Sequence, residues 1–208
     1  MKREKCIVCN DYLHFDSVII GNQYPSAIFT DNDKKYKKVI KTSSLNLAKC
    51  SNSVCGLVQL STNYNLDMVF ENYPYISGTT ATMKSILNDV LEEGVKVANP
   101  SADDVVLDIG GNDGTMLSFL NRNVAYKINM DAAHGVESVS IEGNYKKVVG
   151  LFSSEAYSRL NLQQPKLIFC VAMFYHLDNP RQFCDEVASI MNDESIWVIQ
   201  MTYLKTML

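Results

Sequence analysis

The residues able to do chemistry fall in two places. One is the run Val105 to Leu117, VVLDIGGNDGTML, where Asp108 and Asp113 stand among Gly110, Gly111, Asn112 and Gly114. Glycines after a buried strand let a ligand approach the backbone, and the helix start that follows offers unpaired N–H groups. The two acids suit a ligand carrying an ammonium or hydroxyls better than a pyrophosphate, which prefers a bare N–H cradle. Downstream, Tyr126 to Asp131 ends in a carboxylate. Asp131 lies at roughly the twenty-residue separation at which an acid accepts both hydroxyls of a ribose; a capping or solvated aspartate is the other reading. The second place is a pair of cysteine knuckles, Cys6-Ile7-Val8-Cys9 and Cys50 to Cys55. Together they offer four thiolates in a tetrahedral shell, the closed arrangement of a structural zinc. The second knuckle is wider than CxxC, so ordinary core cysteines remain an alternative. A redox pair at Cys6 and Cys9 is disfavoured, because no strand leads in and no helix follows.

These groups need elements to hold them. Between the knuckles, Val18-Ile19-Ile20, Ala27-Ile28-Phe29, Lys38-Val39-Ile40 and Leu45-Asn46-Leu47 read as short strands, and Gly56 to Leu60 as another. A region this small needs a staple. From Leu66 the character changes. Thr80 or Thr82 caps a helix whose apolar positions Met83, Ile86, Leu87, Val90 and Leu91 fall at helical spacing, and Pro100 ends the segment. Phe70, Tyr73 and Tyr75, followed by Ser77-Gly78-Thr79, form either a lid over the glycine turn or a packed hinge. Strands are then expected at Val105, at Tyr126–Asp131, at Lys147–Phe152, at Lys166–Met173 and at Ile196–Tyr203, with a helix over Arg181–Met191. This alternation predicts a right-handed, doubly wound sheet. The expected division is a zinc-binding domain over 1–65, a linker or lid with its helix over 66–100, and a nucleotide-binding domain over 101–208.

Composition sets outer bounds. The chain has 208 residues, 47% of them hydrophobic, and a net charge of -4. Basic and acidic residues are mixed, which argues against nucleic acid or an anionic membrane as partner. The one basic run, Lys34 to Lys41, is interleaved with apolar residues and reads as a solvated face. No apolar run is long enough to span a bilayer and MKREKC carries no signal-peptide core, so a cytoplasmic location is expected, with thiols rather than disulfides. Cys170 and Cys184 lack partners at metal spacing and read as core thiols.

The spacing Gly-Gly-x-x-Gly differs from the G-x-G-x-x-G of nicotinamide and flavin proteins. The strand and turn resemble motif I of the class I S-adenosylmethionine (SAM) methyltransferases. The wider order is more specific: CxxC, then a cysteine pair followed by GLVQL, then YPYISG, then VLDIGGNDGTML. It is similar, from Cys6 to Tyr203, to the zinc-containing C-methyltransferases that add a branch methyl to nucleotide-linked keto-deoxysugars.

The resemblance implies a small β-rich zinc domain followed by a Rossmann-like α/β methyltransferase sheet, with a nucleotide sugar or other small molecule as substrate. The turn from Asp108 to Gly114 would hold the methionine part of SAM and Asp131 its ribose. Phe152 and Ser153 occupy the position that contacts adenine in this fold, and Met173 would line the same pocket. Tyr75 would lie near the reacting centre. His176, at a strand's C-terminal end, is a pocket residue with a pKa suited to proton transfer. Zinc on Cys6, Cys9, Cys50 and Cys55 would be structural.

Sheets of this family have seven strands and continue into a region whose Tyr-His-Glu-His motif supplies acid/base groups; this chain has no such motif. The expectation is therefore a sheet incomplete after its fifth strand, its edge left open or covered by another chain. An O- or N-methyltransferase, or a non-catalytic module binding zinc and SAM, are the alternatives; a nicotinamide oxidoreductase fits least.

Overall fold

The computed structural model describes residues 2–24, 42–62, 73–134, 136–203 and 205. They fall into two compact units, Met1–Tyr73 with Asp178–Arg181, and Pro74–Leu177 with Gln182–Leu208.

In the first unit three antiparallel strands, β1 (Leu13–Gln23), β2 (Ser43–Cys50) and β3 (Val58–Leu60), lie in that order. The register sets Leu13 opposite Cys50 and Leu47 opposite Leu60. Among the described residues its buried cluster is Cys6, Leu13, Ala48 and Cys50, with Cys9, Cys55 and Leu57 packed against it. The strands expected at Ala27–Phe29 and Lys38–Ile40 lie outside the described residues.

The second unit is a parallel sheet of five strands in the order β6-β5-β4-β7-β8. These are β4 (Val105–Ile109), β5 (Tyr126–Asp131), β6 (Tyr145–Val149), β7 (Leu167–Val171) and β8 (Ile196–Gln200). Among the described residues four α-helices accompany them: α1 (Ala81–Ala98), α2 (Thr115–Ser118), α3 (Ser154–Ser158) and α4 (Pro180–Ser189). Strand β4 is central, and all five of its residues are buried. Its side chains alternate between two cores. Val105, Leu107 and Ile109 meet Ile128, Met130, Ile168 and the α4 residues Phe183 and Val187. Val106 meets Leu167, Phe169 and the α1 residues Leu87, Leu91 and Ala98. Asp108 shares the face of Val106, the only acid in this buried strand. Between β4 and β7 the winding direction reverses, which is where ligands bind in open α/β sheets. The fold is the Rossmann-like α/β architecture expected, with a β-rich region before it.

Helix α1 shows why this sequence folds locally as it does. Thr80 Oγ1 caps it by accepting from the Met83 amide at 3.2 Å. Asn99, at φ 44, ends it in a left-handed residue whose amide returns to the Val95 carbonyl, and Pro100 follows. The buried positions Leu87, Leu91, Gly94 and Ala98 form one stripe. Several sequence boundaries need correction. The third sheet strand is Tyr145–Val149, ending before Gly150 at φ +145, so Leu151 and Phe152 lie beyond it. Ala172 at φ 54 stops β7 before Met173, and β8 ends at Gln200 rather than Tyr203. Strand β8 pairs with β7 alone among the described residues, leaving Ile199 42% exposed at the sheet edge. Among those residues no helix is long and apolar enough to cross a membrane.

Candidate functional site

Strand β4 delivers Asp108 to the C-terminal end of the sheet, and the chain then turns sharply. Gly110 (φ 79), Asn112 (φ 53) and Gly114 (φ 80) are left-handed, a conformation that glycine takes freely and asparagine tolerates. Gly111 is needed for space: a Cβ there would stand 2.4 Å from Asp108 Oδ2 and 2.7 Å from Asn129 Oδ1. Asn112 is a junction. Its amide donates to Asp131 Oδ2 at 2.8 Å and its carbonyl accepts from Asn129 Nδ2 at 3.2 Å. Its side chain points to the segment before α1, where Nδ2 donates to the Tyr75 carbonyl at 3.1 Å and Oδ1 accepts from the Ser77 amide at 3.0 Å. Asp113 is buried; its Oδ1 accepts from the Thr115 amide at 3.0 Å and its Oδ2 from the Gly78 amide at 2.9 Å. Both side chains therefore serve the protein's own backbone, where the sequence alone points to ligand contacts. The reason is local: the turns at Ser77–Thr79 and before α2 leave amides without helical partners, and these two side chains satisfy them.

Asp131 sits where a ribose carboxylate is expected, at the C-terminal end of β5. Its Oδ2 takes the Asn112 amide, and its Oδ1 takes the Ala133 amide at 2.7 Å. A carboxylate oxygen has two lone pairs, so each oxygen keeps acceptor capacity for a hydroxyl. The two amides also fix the carboxylate's plane.

Asp108 differs. It is 2% exposed and in register with Asn129 on β5 and Phe169 on β7, and among the described residues no donor reaches its carboxyl. Burial, with the negative charges of Asp131 and Asp113 adding to it, pushes Asp108 up to about 8. Asn129 is fully buried; its Nδ2 donates to the Asn112 carbonyl and to Tyr145 Oη, 3.2 Å away in each case. Its Oδ1 has no partner. The loop after β5 is fastened to the same turn, the Val139 amide donating to the Asp113 carbonyl at 2.9 Å.

The other candidate residues are distributed as follows. Met173 joins the turn across the switch point, its Cγ 3.0 Å from where a Gly110 Cβ would stand. The Tyr75 backbone is tied to Asn112 and its side chain is 41% exposed. Phe152 packs edge-on against Phe183, with ring centroids 5.4 Å apart. Ser153 is the N-cap of α3, its Oγ accepting from the Ala156 amide at 3.1 Å. Those two have core and capping roles. His176 ends the short 3-10 turn Phe174–His176, its ring centroid 4.4 Å from that of Tyr175; desolvation holds it below its ordinary pKa, so it is neutral at neutral pH. The structure adds Asn129, Ser77, Gly78 and Thr115. For Asn129 the sequence does carry a signal, an amide inside the apolar strand YKINMD in register with Asp108.

In the first unit the four cysteines converge: the Sγ atoms of Cys6, Cys9, Cys50 and Cys55 all lie within 4.8 Å of one another. Cys9 and Cys50 are 3.3 Å apart and Cys6 and Cys55 3.8 Å. A tetrahedral zinc with sulfur at about 2.3 Å needs sulfur atoms roughly 3.8 Å apart, so the donor set fits. Each knuckle closes through a left-handed residue, Asn10 (φ 64) after the first and Gly56 (φ 55) after the second. The Asn10 amide returns to the Cys6 carbonyl at 3.0 Å, and that of Gly56 to the Asn52 carbonyl at 2.8 Å. Asn52 Oδ1 takes the amides of Val54 and Cys55, and its Nδ2 donates to Asp11 at 2.7 Å. Burial pushes the Cys50 thiol up to about 12. At Cys6 burial also raises, but the Cys9 and Val8 amides outweigh it and leave the thiol below its ordinary value. A bound cation reverses such upward shifts by deprotonating its thiols.

A family profile described as a methyltransferase domain matches residues 79–206, more than half of the chain. No curated protein matches at a significant level. Among solved structures the chain is similar to the plantazolicin methyltransferase BamL in complex with a triazolic desmethylPZN analog and SAH, at 16% identity and a TM-score of 0.44, covering 54% of this chain. It spans 45% of that protein's length. It is similar also to the precorrin 8W decarboxylase of Methanobacterium thermoautotrophicum (16% identity, TM-score 0.44, covering 70% of this chain and 75% of that one). A third is the precorrin-6y C5,15-methyltransferase of Geobacter metallireducens (14% identity, TM-score 0.42, covering 70% and 77%).

Proposed function

We propose that this chain, which belongs to the methyltransferase-domain family, binds SAM at the turn after β4 and serves methyl transfer to carbon on a nucleotide-linked keto-deoxysugar. The observation that carries the cofactor reading is the joint between turn and second acid: the Asn112 amide holds Asp131 beside the glycines at the switch point of the sheet. The sugar rests on the order of the cysteine knuckles, the Tyr-x-Tyr-x-Ser-Gly segment and the glycine turn along the chain.

SAM supplies a methyl group activated by a positively charged sulfur. The chain's part is binding and orientation. Asp131 accepts the ribose hydroxyls with the oxygens its two backbone amides have aligned. The close approach at Gly110 and Gly111 admits the methionine part, whose ammonium pairs with Asp108. Held there, SAM would supply an electrophilic methyl, its sulfur–methyl bond breaking to give S-adenosylhomocysteine (SAH), to a carbon made nucleophilic by loss of the proton α to the keto group. Tyr75 is the residue we place beside the reacting carbon, and His176, neutral at the working pH, is the second candidate for moving the proton. A zinc on the four thiolates would be structural, since a closed tetrahedral shell leaves no position for substrate.

Calorimetric titration with SAM, SAH and NAD tests the cofactor reading, with the first two binding and the third not. Transfer of labelled methyl from SAM to a panel of nucleotide-linked keto-deoxysugars, against matched sugars offering only hydroxyl or amino acceptors, tests the substrate. Labelling confined to oxygen or nitrogen would remove the C-methylation reading.

A further inference from the structure

We propose that the cofactor exchanges its positive charge for a proton: Asp108 is a neutral carboxylic acid in the empty protein, and the ammonium of the cofactor's amino-acid part converts it to a carboxylate. This inference rests on the SAM reading above and adds the protonation chemistry of the site.

The geometry that carries it is a shortage of donors. Three carboxylates converge on the turn, and the backbone amides are taken by two of them: Asp131 receives Asn112 and Ala133, and Asp113 receives Thr115 and Gly78. Among the described residues none reaches Asp108. Its neighbour in register is Asn129, whose Oδ1 is likewise buried and without a partner. Both oxygens border the space beside Gly111, 2.4 and 2.7 Å from the position of its absent Cβ. An ionised Asp108 would therefore be a nearly buried charge with no protein donor among the described residues, close to an amide oxygen that likewise has none, and under the repulsion of Asp131 and Asp113. Each of these costs free energy. A proton on Asp108 removes the charge and turns one of its acceptors into a donor.

The remaining charged groups do not change the balance. Lys127 and Lys147, on the same face of β5 and β6, donate their ammoniums to the carbonyls of Leu120 and Val136. Helix α2 carries no charge, and the charged side chains of α1, Lys84, Asp89, Glu92, Glu93 and Lys96, are all exposed. Cys170 on β7 is a neutral thiol, raised to about 12 by burial and in part by Asp108 itself. The upward shift of Asp108 agrees with this arrangement. An incoming ammonium supplies both the donor and the counter-charge. The carboxyl proton passes to solvent, one per ligand bound.

The test is calorimetry of the full chain with SAM and separately with SAH near pH 7, in two buffers of different ionisation enthalpy, which counts protons released. The expected result is close to one proton for either ligand, since both carry the ammonium. Affinity then rises nearly tenfold per pH unit below about pH 8, and stops rising where the carboxyl is already ionised and the ligand's own ammonium begins to lose its proton. Asp108→Asn, where it binds either ligand, releases none. Binding by the wild-type chain without proton release overturns this inference and leaves the SAM reading standing. Release with SAM alone overturns the assignment to the ammonium. Failure of both ligands to bind overturns the SAM reading, and this inference falls with it.

Discussion

The amide of Asn112 and the carboxylate of Asp131 meet at 2.8 Å across nineteen positions of sequence. That bond joins the glycine turn to the second acid, so neither can shift alone. Asn112 also holds the Tyr75–Ser77 backbone through its side chain and accepts from Asn129 through its carbonyl. One left-handed asparagine thus aligns the turn, the end of β5 and the segment leading into α1. Preorganisation of this kind sets a binding group before the ligand arrives.

Substitutions at Asn112 separate its side chain from its backbone. Asn112→Gly keeps φ near 53 and both main-chain bonds while removing the arms to Tyr75 and Ser77; a loss of about 1–2 kcal/mol is expected for two hydrogen bonds. Asn112→Ala loses the same arms and adds a left-handed alanine, worth roughly another 1–2 kcal/mol. Denaturant unfolding should rank Ala below Gly. Hydrogen exchange at the Ser77 amide should quicken in both variants.

The turn, the apolar strand before it and the acid at the end of β5 were legible because each rests on local rules: a buried parallel strand, glycines at tight positions, an acid at fixed spacing. The convergence of the four cysteines was legible for the same reason. What local pattern does not contain is where a side chain points once two turns pack together. Asn112 and Asp113 look like ligand residues in sequence, and their side chains also bond the backbone of residues 75–78. Phe152 looks like the end of a strand until Gly150 stops it. Asn129 passes unnoticed because its role exists only in register with Asp108, a pairing fixed by the sheet.

Gly94 sets two local effects against each other. Alanine in a helix interior is favoured over glycine by about 1 kcal/mol. A Cβ at Gly94 would, however, stand 2.7 Å from two ring atoms of Phe169, which is fully buried in β7. Overpacking of a rigid aromatic costs typically about 1–3 kcal/mol, so Gly94→Ala should destabilise on balance. A higher melting temperature would show that α1 can move away from the sheet without loss.

The pH dependence of unfolding follows from Asp108. Its folded value, about 8, lies above its ordinary 3.8, so the folded state prefers the protonated acid. That contribution is fully present below the ordinary value and is lost as pH rises through about 8. His176 works in the opposite sense, since its folded value is lowered. The difference between wild type and Asp108→Asn isolates the effect: relative to the asparagine variant, the ligand-free wild type should weaken steadily between about pH 4 and 8. A difference flat across that window would mean the carboxyl is solvated after all.

The cysteine cluster makes the last prediction, because among the described residues of its unit the buried cluster is centred on sulfur. Four of the seven described residues in that cluster are the cysteines themselves, and structural zinc contributes about 10–16 kcal/mol of apparent binding energy in zinc-finger peptides. Removing one ligand should therefore unfold the first unit rather than loosen it. Cys50→Ser and Cys9→Ser are expected to lose bound zinc, and a strong chelator should expose all four thiols of the wild type to a thiol reagent together. Cys170→Ala is the control: that thiol is fully buried in the other core, so its loss should leave metal content unchanged while costing stability through a small cavity. Cobalt binding in place of zinc should give the intense visible bands of tetrahedral thiolate coordination in the wild type and not in Cys50→Ser. A wild-type chain that purifies without metal and keeps its N-terminal strands protected from exchange would show instead that the sulfur atoms pack as ordinary core.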